Sequence, residues 1–196
     1  MSVASTRIRE LPSGQRPLPL HEALDVFRKP ADQAEALADI ARDPRGHVFV
    51  AERDDHTVGY ATFHPPGRDE TWGRLPSENI VEIGAVEIAP YLRGEHLAER
   101  LLQQAFGDGR FDDAVVFATM YAWHYDLART GLTPFAYKRL LEKLYRKVGL
   151  VPLPTADPEV RMDAANALMA RVGPNADPDA VRTFHALRTR PPPAGY

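Results

Sequence analysis

The spacing of hydrophobic positions along this chain changes period several times, and each change marks an element. Val3–Arg9 reads as an opening strand, after which Pro19 leads into Leu20, Ala23, Leu24 and Phe27, a stripe at helical spacing that stops before Pro30. A second helical stripe runs from Ala31 to Arg42, with Ala34, Leu37, Ala38 and Ala41 on one face, and Pro44 and Gly46 close it. The period then shortens. His47-Val-Phe-Val-Ala-Glu52 and Val58-Gly-Tyr-Ala-Thr-Phe63 are rich in β-branched and aromatic residues, and Arg53–Thr57 between them reads as a hairpin turn. Pro65–Glu78 is a polar loop carrying Arg68, Asp69, Glu70, Trp72 and Arg74, of a length that functional loops share with plain surface connections.

The second half repeats the alternation. Asn79–Ala89 is the longest strand pattern and stops at Pro90; a helix follows over Gly94–Phe106, with Leu97, Ala98, Leu101, Leu102 and Ala105 at helical spacing. Ala114–Met120 is a further apolar strand. Thr133 is a good N-cap, and Pro134 stands where a helix accepts proline, opening a helix to Val148. Beyond it, Asp157-Pro158 and Asp177-Pro178 read as matching helix starts, with Gly173-Pro174 ending the first of those two helices. The order β, α, α, β, β, β, α, β, α gives a mixed α/β (α+β) single domain over residues 1–152, with a central, mostly antiparallel sheet flanked by helices. Residues 153–189 read as a C-terminal helical extension packed on that domain, and 190–196 as a loose tail.

Composition narrows the chemistry. The 196 residues are 44% hydrophobic and 26% charged, as in ordinary globular proteins. A net charge of −3 offers no basic field for nucleic acid, and no apolar run is long enough to span a membrane. The N-terminal residues lack an apolar leader core, so the expectation is a cytoplasmic protein. With no cysteine, thiolate nucleophiles, zinc ribbons and iron–sulfur clusters are excluded together. The seven histidines show no metal-ligand spacing; His21-Glu22 lacks a second helical histidine, and no metal is expected. Reactive groups must come from Glu, Asp, His, Tyr or a bound co-substrate.

The informative stretch is Val86-Glu-Ile-Ala-Pro90-Tyr-Leu-Arg93-Gly94-Glu-His96-Leu-Ala98. A strand ends at a proline and a helix begins after a tight turn, which aims free backbone N–H groups outward at the positive end of a helix dipole. Such a turn suits a phosphate or pyrophosphate, with Arg93 as a permanent cation at its rim and Gly94 permitting close approach. It is neither a P-loop nor a dinucleotide fingerprint, and a plain strand–turn–helix with a surface arginine is the alternative.

These residues resemble the acetyl-CoA loop of the GNAT (Gcn5-related) N-acetyltransferase family, Arg/Gln-x-x-Gly-x-Gly/Ala after a strand ending Val-x-Pro. Arg93 fills the first place and Ala98 the last, whereas His96 stands where the family usually has glycine. The resemblance covers His47–Leu150, and Leu144-Tyr145-Arg-Lys-Val-Gly149-Leu150 is similar to the family's Phe-Tyr-x-x-x-Gly-Phe ending. It implies a GNAT-like fold with acetyl-CoA as co-substrate, held along Val86 and Ile88 and by the turn Arg93, Gly94, Glu95, His96, Leu97 and Ala98. The cofactor would lie in a gap between the strand ending at Ile88 and the one ending near Met120. The family often has an asparagine after that second strand; none stands here. A narrower resemblance, to the acetoin-utilisation protein A group, rests on Tyr121-Ala-Trp123-His124-Tyr125-Asp126-Leu-Ala-Arg-Thr-Gly131 and the helix after it. In that group the acceptor is a lysine of acetyl-CoA synthetase, which implies that protein as partner.

Chemistry points to particular side chains. A lysine ammonium has a pKa near ~10.4, so it must lose a proton to a base before it attacks a thioester. Glu82 sits inside an apolar strand, on the face of Gly84, Val86 and Ile88, where a carboxylate is costly unless paired or functional. The resemblance gives Glu82 the family's strand-borne base role; an edge-exposed carboxylate is the alternative. Glu87, on the opposite face, reads as solvated or salt-bridged. Tyr145 lies on a helical stripe with Tyr137, Leu140, Leu141 and Leu144, which fits a core tyrosine, and the resemblance makes it the acid that protonates the departing thiolate of CoA. Trp123, His124, Tyr125 and Asp126 form an aromatic and ionisable cluster suited to an acceptor entrance or to packing under a loop. Lys138, Arg139, Lys143, Arg146 and Lys147 read as a solvated basic face. The leading expectation is protein lysine acetylation. Acetylation of a small amine, and a non-catalytic acyl-CoA-binding module, remain the alternatives.

Overall fold

The computed structural model describes residues 5–67, 71–74 and 79–190. Val3 of the opening strand, the loop residues Arg68, Asp69 and Glu70, and the tail beyond Arg190 lie outside them. The strands are β1 (Arg7–Glu10), β2 (His47–Arg53), β3 (His56–His64), β4 (Ile80–Ile88), β5 (Val115–Met120), β6 (Val151–Leu153) and β7 (Ala167–Val172). The helices are α1 (Pro30–Arg42), α2 (Leu97–Phe106), α3 (Leu127–Thr130), α4 (Pro134–Arg146), α5 (Pro158–Arg161) and α6 (Pro178–Thr189). The hydrogen-bonded strand order is β1-β2-β3-β4-β5-β7-β6, a mixed sheet flanked by helices. Among the described residues no helix is long and apolar enough to cross a membrane.

By its contacts the chain divides into two units, the first comprising Met1–His64 with Ile83–Asp108. Within it β1, β2 and β3 pair antiparallel. The hairpin between β2 and β3 closes because Asp54 and Asp55 both take left-handed backbone, φ 50° and 61°, whose twist suits a tight hairpin. Leu37 and Ala38 of α1 and Leu101 and Leu102 of α2 are fully buried, and Phe63 meets Phe49 and Phe106 edge-on at 5.9 and 5.8 Å. The expected helix over Leu20–Phe27 does not form. Leu20 instead bridges to Thr57: Thr57 N–H donates to Pro19 O and His21 N–H to Thr57 O, both at 2.9 Å, while the Val26 N–H goes to the Glu87 carboxylate. Leu24 is still fully buried, so the apolar spacing was read correctly and its backbone was not.

The second unit comprises Pro65–Glu82 with Gly109–Tyr196. The start of β4 pairs in parallel with β5, from Ile80↔Val115 to Glu82↔Phe117, and β5 pairs antiparallel with β7, which pairs antiparallel with β6. The expected long helix between Pro158 and Gly173 is therefore corrected. Only one turn, α5, forms; Ala167–Ala170 is a fully buried central strand, and Gly173 follows that strand. Ala, Leu and Met favour helix locally, but a segment with strand partners on both edges satisfies its backbone in the sheet. The Asp157 and Asp177 caps stand as expected, each side chain accepting from the N–H of Glu159 or Asp179 two residues on. The polar loop is anchored by Trp72, which packs on Phe184 and Phe117 with ring centroids 5.3 and 5.1 Å away. These rings join Ile80, Val115, Leu168 and Ala170 in one core.

Candidate active site

The turn before α2 is more structured than its sequence suggests. Pro90–Leu92 forms a single 3-10 turn, Arg93 is extended, Gly94 has φ +96°, and α2 starts at Leu97, three residues later than expected. His96 is the N-cap and adopts left-handed backbone, φ 57° and ψ 22°. That conformation explains why glycine is the usual residue at such a place: a side chain there costs about 1–2 kcal/mol. The first intrahelical bond of α2 runs from Arg100 N–H to His96 O, so the amides of Leu97, Ala98 and Glu99 precede it. The Glu95 amide does not join them, because its N–H donates to Leu92 O at 3.2 Å, a correction to the expected donor set.

Charge at this turn is managed by a residue the sequence reading passed over. Arg53, at the end of β2, grips the Glu95 carboxylate with both Nη atoms and donates from Nε to Thr6 Oγ1 at 2.7 Å. The pair holds the Glu95 pKa below the ordinary carboxylate range. An acidic side chain at the turn before α2 is thus neutralised in place. The signal was a hairpin arginine, indistinguishable from a solvated one without the fold. Arg93 and His96 are exposed, the latter with 77% of its side chain accessible, and His96 Nδ1 lies 3.5 Å from Glu99 Oε2. Val86 and Ile88 are half-buried along β4.

The two carboxylates of β4 differ in their partners. Glu87 is 6% exposed; it accepts from the Val26 N–H at 2.9 Å and from the Tyr60 hydroxyl, so it is a buried, hydrogen-bonded acid rather than a solvated one. Burial and that carboxylate push the Tyr60 hydroxyl far above its ordinary pKa. Glu82 is 8% exposed in the second unit, with the Thr119 hydroxyl 3.4 Å from Oε1. Thr119 and Tyr121 follow one another on the same face at the end of β5. Burial raises the Tyr121 pKa, and Asp157, Glu159 and Glu82 add to the rise.

Tyr145 is buried, its pKa raised mainly by loss of solvent and secondarily by Tyr125 and Tyr137. The 121–126 cluster separates into two parts. Tyr125 and Asp126 are buried and internally bonded: Tyr125 donates to Ala165 O at 2.8 Å and stacks on Tyr137, and Asp126 accepts from Arg129 Nε at 2.9 and 3.0 Å. Trp123 and His124 are exposed, and the Trp123 ring lies parallel to that of Tyr121 at 4.4 Å. Partial burial lowers the His124 pKa. In the basic run, Lys138 is structural, donating to Ala164 O and Asn166 O at 3.0 Å each. Among the described residues no group of acidic and histidine side chains is arranged to hold a metal.

The profile of the acetyltransferase (GNAT) family matches residues 7–125, which contain Glu82 and the turn before α2. The chain belongs to the GNAT acetyltransferase family. It is 36% identical over 168 residues to the acetoin utilization protein AcuA of Bacillus subtilis (strain 168), covering 86% of this chain and 80% of that one. The AcuA protein of Bacillus licheniformis is 35% identical over the same shares. The crystal structure of an acetoin utilization protein from Exiguobacterium sibiricum superposes with a TM-score of 0.87 at 34% identity, covering 97% of both chains. This GNAT protein is an acetyl-CoA-dependent N-acetyltransferase.

Proposed function

We propose that this enzyme acetylates a protein lysine, with that of an acetyl-CoA synthetase as the leading acceptor, using Glu82 as general base and Tyr145 as general acid. The observation that carries the reading is Glu82. It is a carboxylate buried in an apolar strand, with the Thr119 hydroxyl 3.4 Å from Oε1. A buried acid of this kind is suited to accept a proton from an acceptor ammonium. The neutral amine then attacks the thioester directly, with no covalent enzyme intermediate. Burial keeps the Tyr145 phenol protonated, so it is available to donate as negative charge builds on the departing sulfur.

Arg93 and the amides of His96, Leu97 and Ala98 would hold the pyrophosphate, with Val86 and Ile88 along the pantetheine. His96 already takes the backbone form that glycine would supply, which supports a loop able to hold the cofactor despite the departure from glycine. The acceptor assignment rests on the Tyr121–Asp126 insertion, whose exposed members Trp123 and His124 are the part able to meet a lysine stem. The test is incubation with labelled acetyl-CoA and cell extract, followed by mass spectrometry. Acetylation of a lysine in acetyl-CoA synthetase is expected. Labelling only of small amines would replace the acceptor, and thiol release that no amine stimulates would remove the transferase mechanism.

A further inference from the structure

β4 is the middle strand of the sheet, yet Gly84 within it is exposed, between the buried Ile83 and the half-buried Ala85 and Val86. The ladder from β4 to β5 covers only Ile80–Glu82, although β4 runs on to Ile88. A glycine at such a point leaves a space one side chain deep and lets another group approach the strand closely. His64, the last residue of β3, fills that space. A Cβ at position 84 would overlap His64 Nε2 and would lie 3.0 and 3.1 Å from Cδ2 and Cε1. The half-buried imidazole thus stands, nitrogen end first, where a side chain of β4 itself would stand. His64, Gly84, Val86 and Ile88 all belong to the first unit.

We propose that His64 is a wall of the acyl site and fixes the length of the acyl chain that this enzyme transfers. The inference rests on the proposed path of the co-substrate, with pantetheine beside Ile88 and Val86 and with Glu82 as base. These residues share one strand, which rises about 3.3 Å per residue. The thioester carbonyl, held between pantetheine and base, therefore falls at the level of Gly84, midway between Val86 and Glu82. An acetyl group needs room for only one methyl beyond that carbon. The glycine gap alone would also take a propionyl or butyryl tail, and the imidazole closes it from the β3 side. A longer tail must push the ring away or carry the thioester out of line with the attacking amine. Each methylene that a pocket refuses costs roughly tenfold to 200-fold in kcat/KM.

The experiment gives wild type, His64→Ala and the double variant Gly84→Ala/His64→Ala an equal mixture of acetyl-, propionyl- and butyryl-CoA with purified acetyl-CoA synthetase. Mass spectrometry reads the ratio of the acyl marks on the acceptor lysine, and calorimetry on the same proteins gives the affinities for CoA, acetyl-CoA and butyryl-CoA. Wild type should favour acetyl over butyryl by roughly a hundredfold. His64→Ala should narrow that ratio by roughly tenfold or more and bind butyryl-CoA as tightly as acetyl-CoA. The methyl group returned at position 84 in the double variant should restore part of the preference. CoA, which carries no acyl group, should bind all of these proteins alike. An unchanged acetyl preference in His64→Ala, or one lost together with CoA affinity, overturns the wall and leaves the acetyltransferase reading standing. A wild type that binds and transfers all the acyl groups alike overturns it as well. Absence of any mark removes the proposed acceptor instead, and the calorimetric ratio of butyryl-CoA to acetyl-CoA then decides the wall.

Discussion

Glu82 and Glu87 share a strand and a low exposure, and their observed surroundings differ: Glu87 accepts from the Val26 amide and the Tyr60 hydroxyl in the first unit, whereas Glu82 lies beside the Thr119 hydroxyl in the second. Glu82→Gln preserves shape but cannot take up a proton, so acetyl-CoA affinity by calorimetry should hold while turnover at neutral pH falls roughly 10²–10⁴-fold. Its rate should recover as pH approaches the lysine pKa near ~10.4, because the amine then sheds its proton unaided. Loss of cofactor binding instead would make Glu82 a structural residue. His96 is a second case where one side chain and its backbone disagree. His96→Gly relieves about 1 kcal/mol of left-handed strain, partly offset by the greater freedom of unfolded glycine. A rise in Tm of about 1–3 °C is expected, and a fall would show that the contact with Glu99 outweighs the strain.

At the scale of elements, the turn into α2 concentrates the helix's positive end, Arg93, and a neutralised Glu95 at one place. Arg93→Glu reverses the cation at its rim and should weaken acetyl-CoA binding roughly tenfold or more in low salt, with less effect in high salt; unchanged affinity by titration would move the phosphate elsewhere. This turn was legible because proline, glycine and arginine act within a few residues of one another. The caps at Thr133, Asp157 and Asp177 were legible for the same reason. Elements settled by distant partners were not. Leu20–Phe27 has helical spacing, yet its His21 and Val26 amides go to Thr57 and Glu87, more than thirty residues away. Ala167–Ala170 has helix-forming residues in a strand slot. Glu82 stood out as a charge in an apolar strand, but its neighbour Thr119 comes from another strand, and no local pattern links the two.

For the molecule as a whole, buried phenols set an alkaline limit. Tyr60, Tyr121, Tyr125 and Tyr145 all have pKa values raised by burial above the ordinary value of about 10. The folded state therefore holds these protons more tightly than the unfolded chain does. Their contribution to stability is fully present below about pH 10 and is lost as pH rises through the folded values. Urea unfolding at graded pH should show stability level up to about pH 10 and falling beyond it. Tyr145→Phe should make that fall shallower, and an unchanged slope would mean that the Tyr145 phenol reaches water in the native state.

The placing of β7 between β5 and β6 bears on how the chain is made. Synthesis delivers Val115–Met120 before Ala167–Val172, so until Val172 has emerged β5 presents an open, strongly sheet-forming edge. The nascent enzyme has to shield that edge from its neighbours on the polysome, and a chain cut before Ala167 never covers it. Such a fragment should appear in the pellet and bind an amyloid dye while the full chain stays in the supernatant. Activity then waits on β7: a copy halted before Ala167 is expected to consume no acetyl-CoA, because the strand that pairs with Thr119 is translated after it.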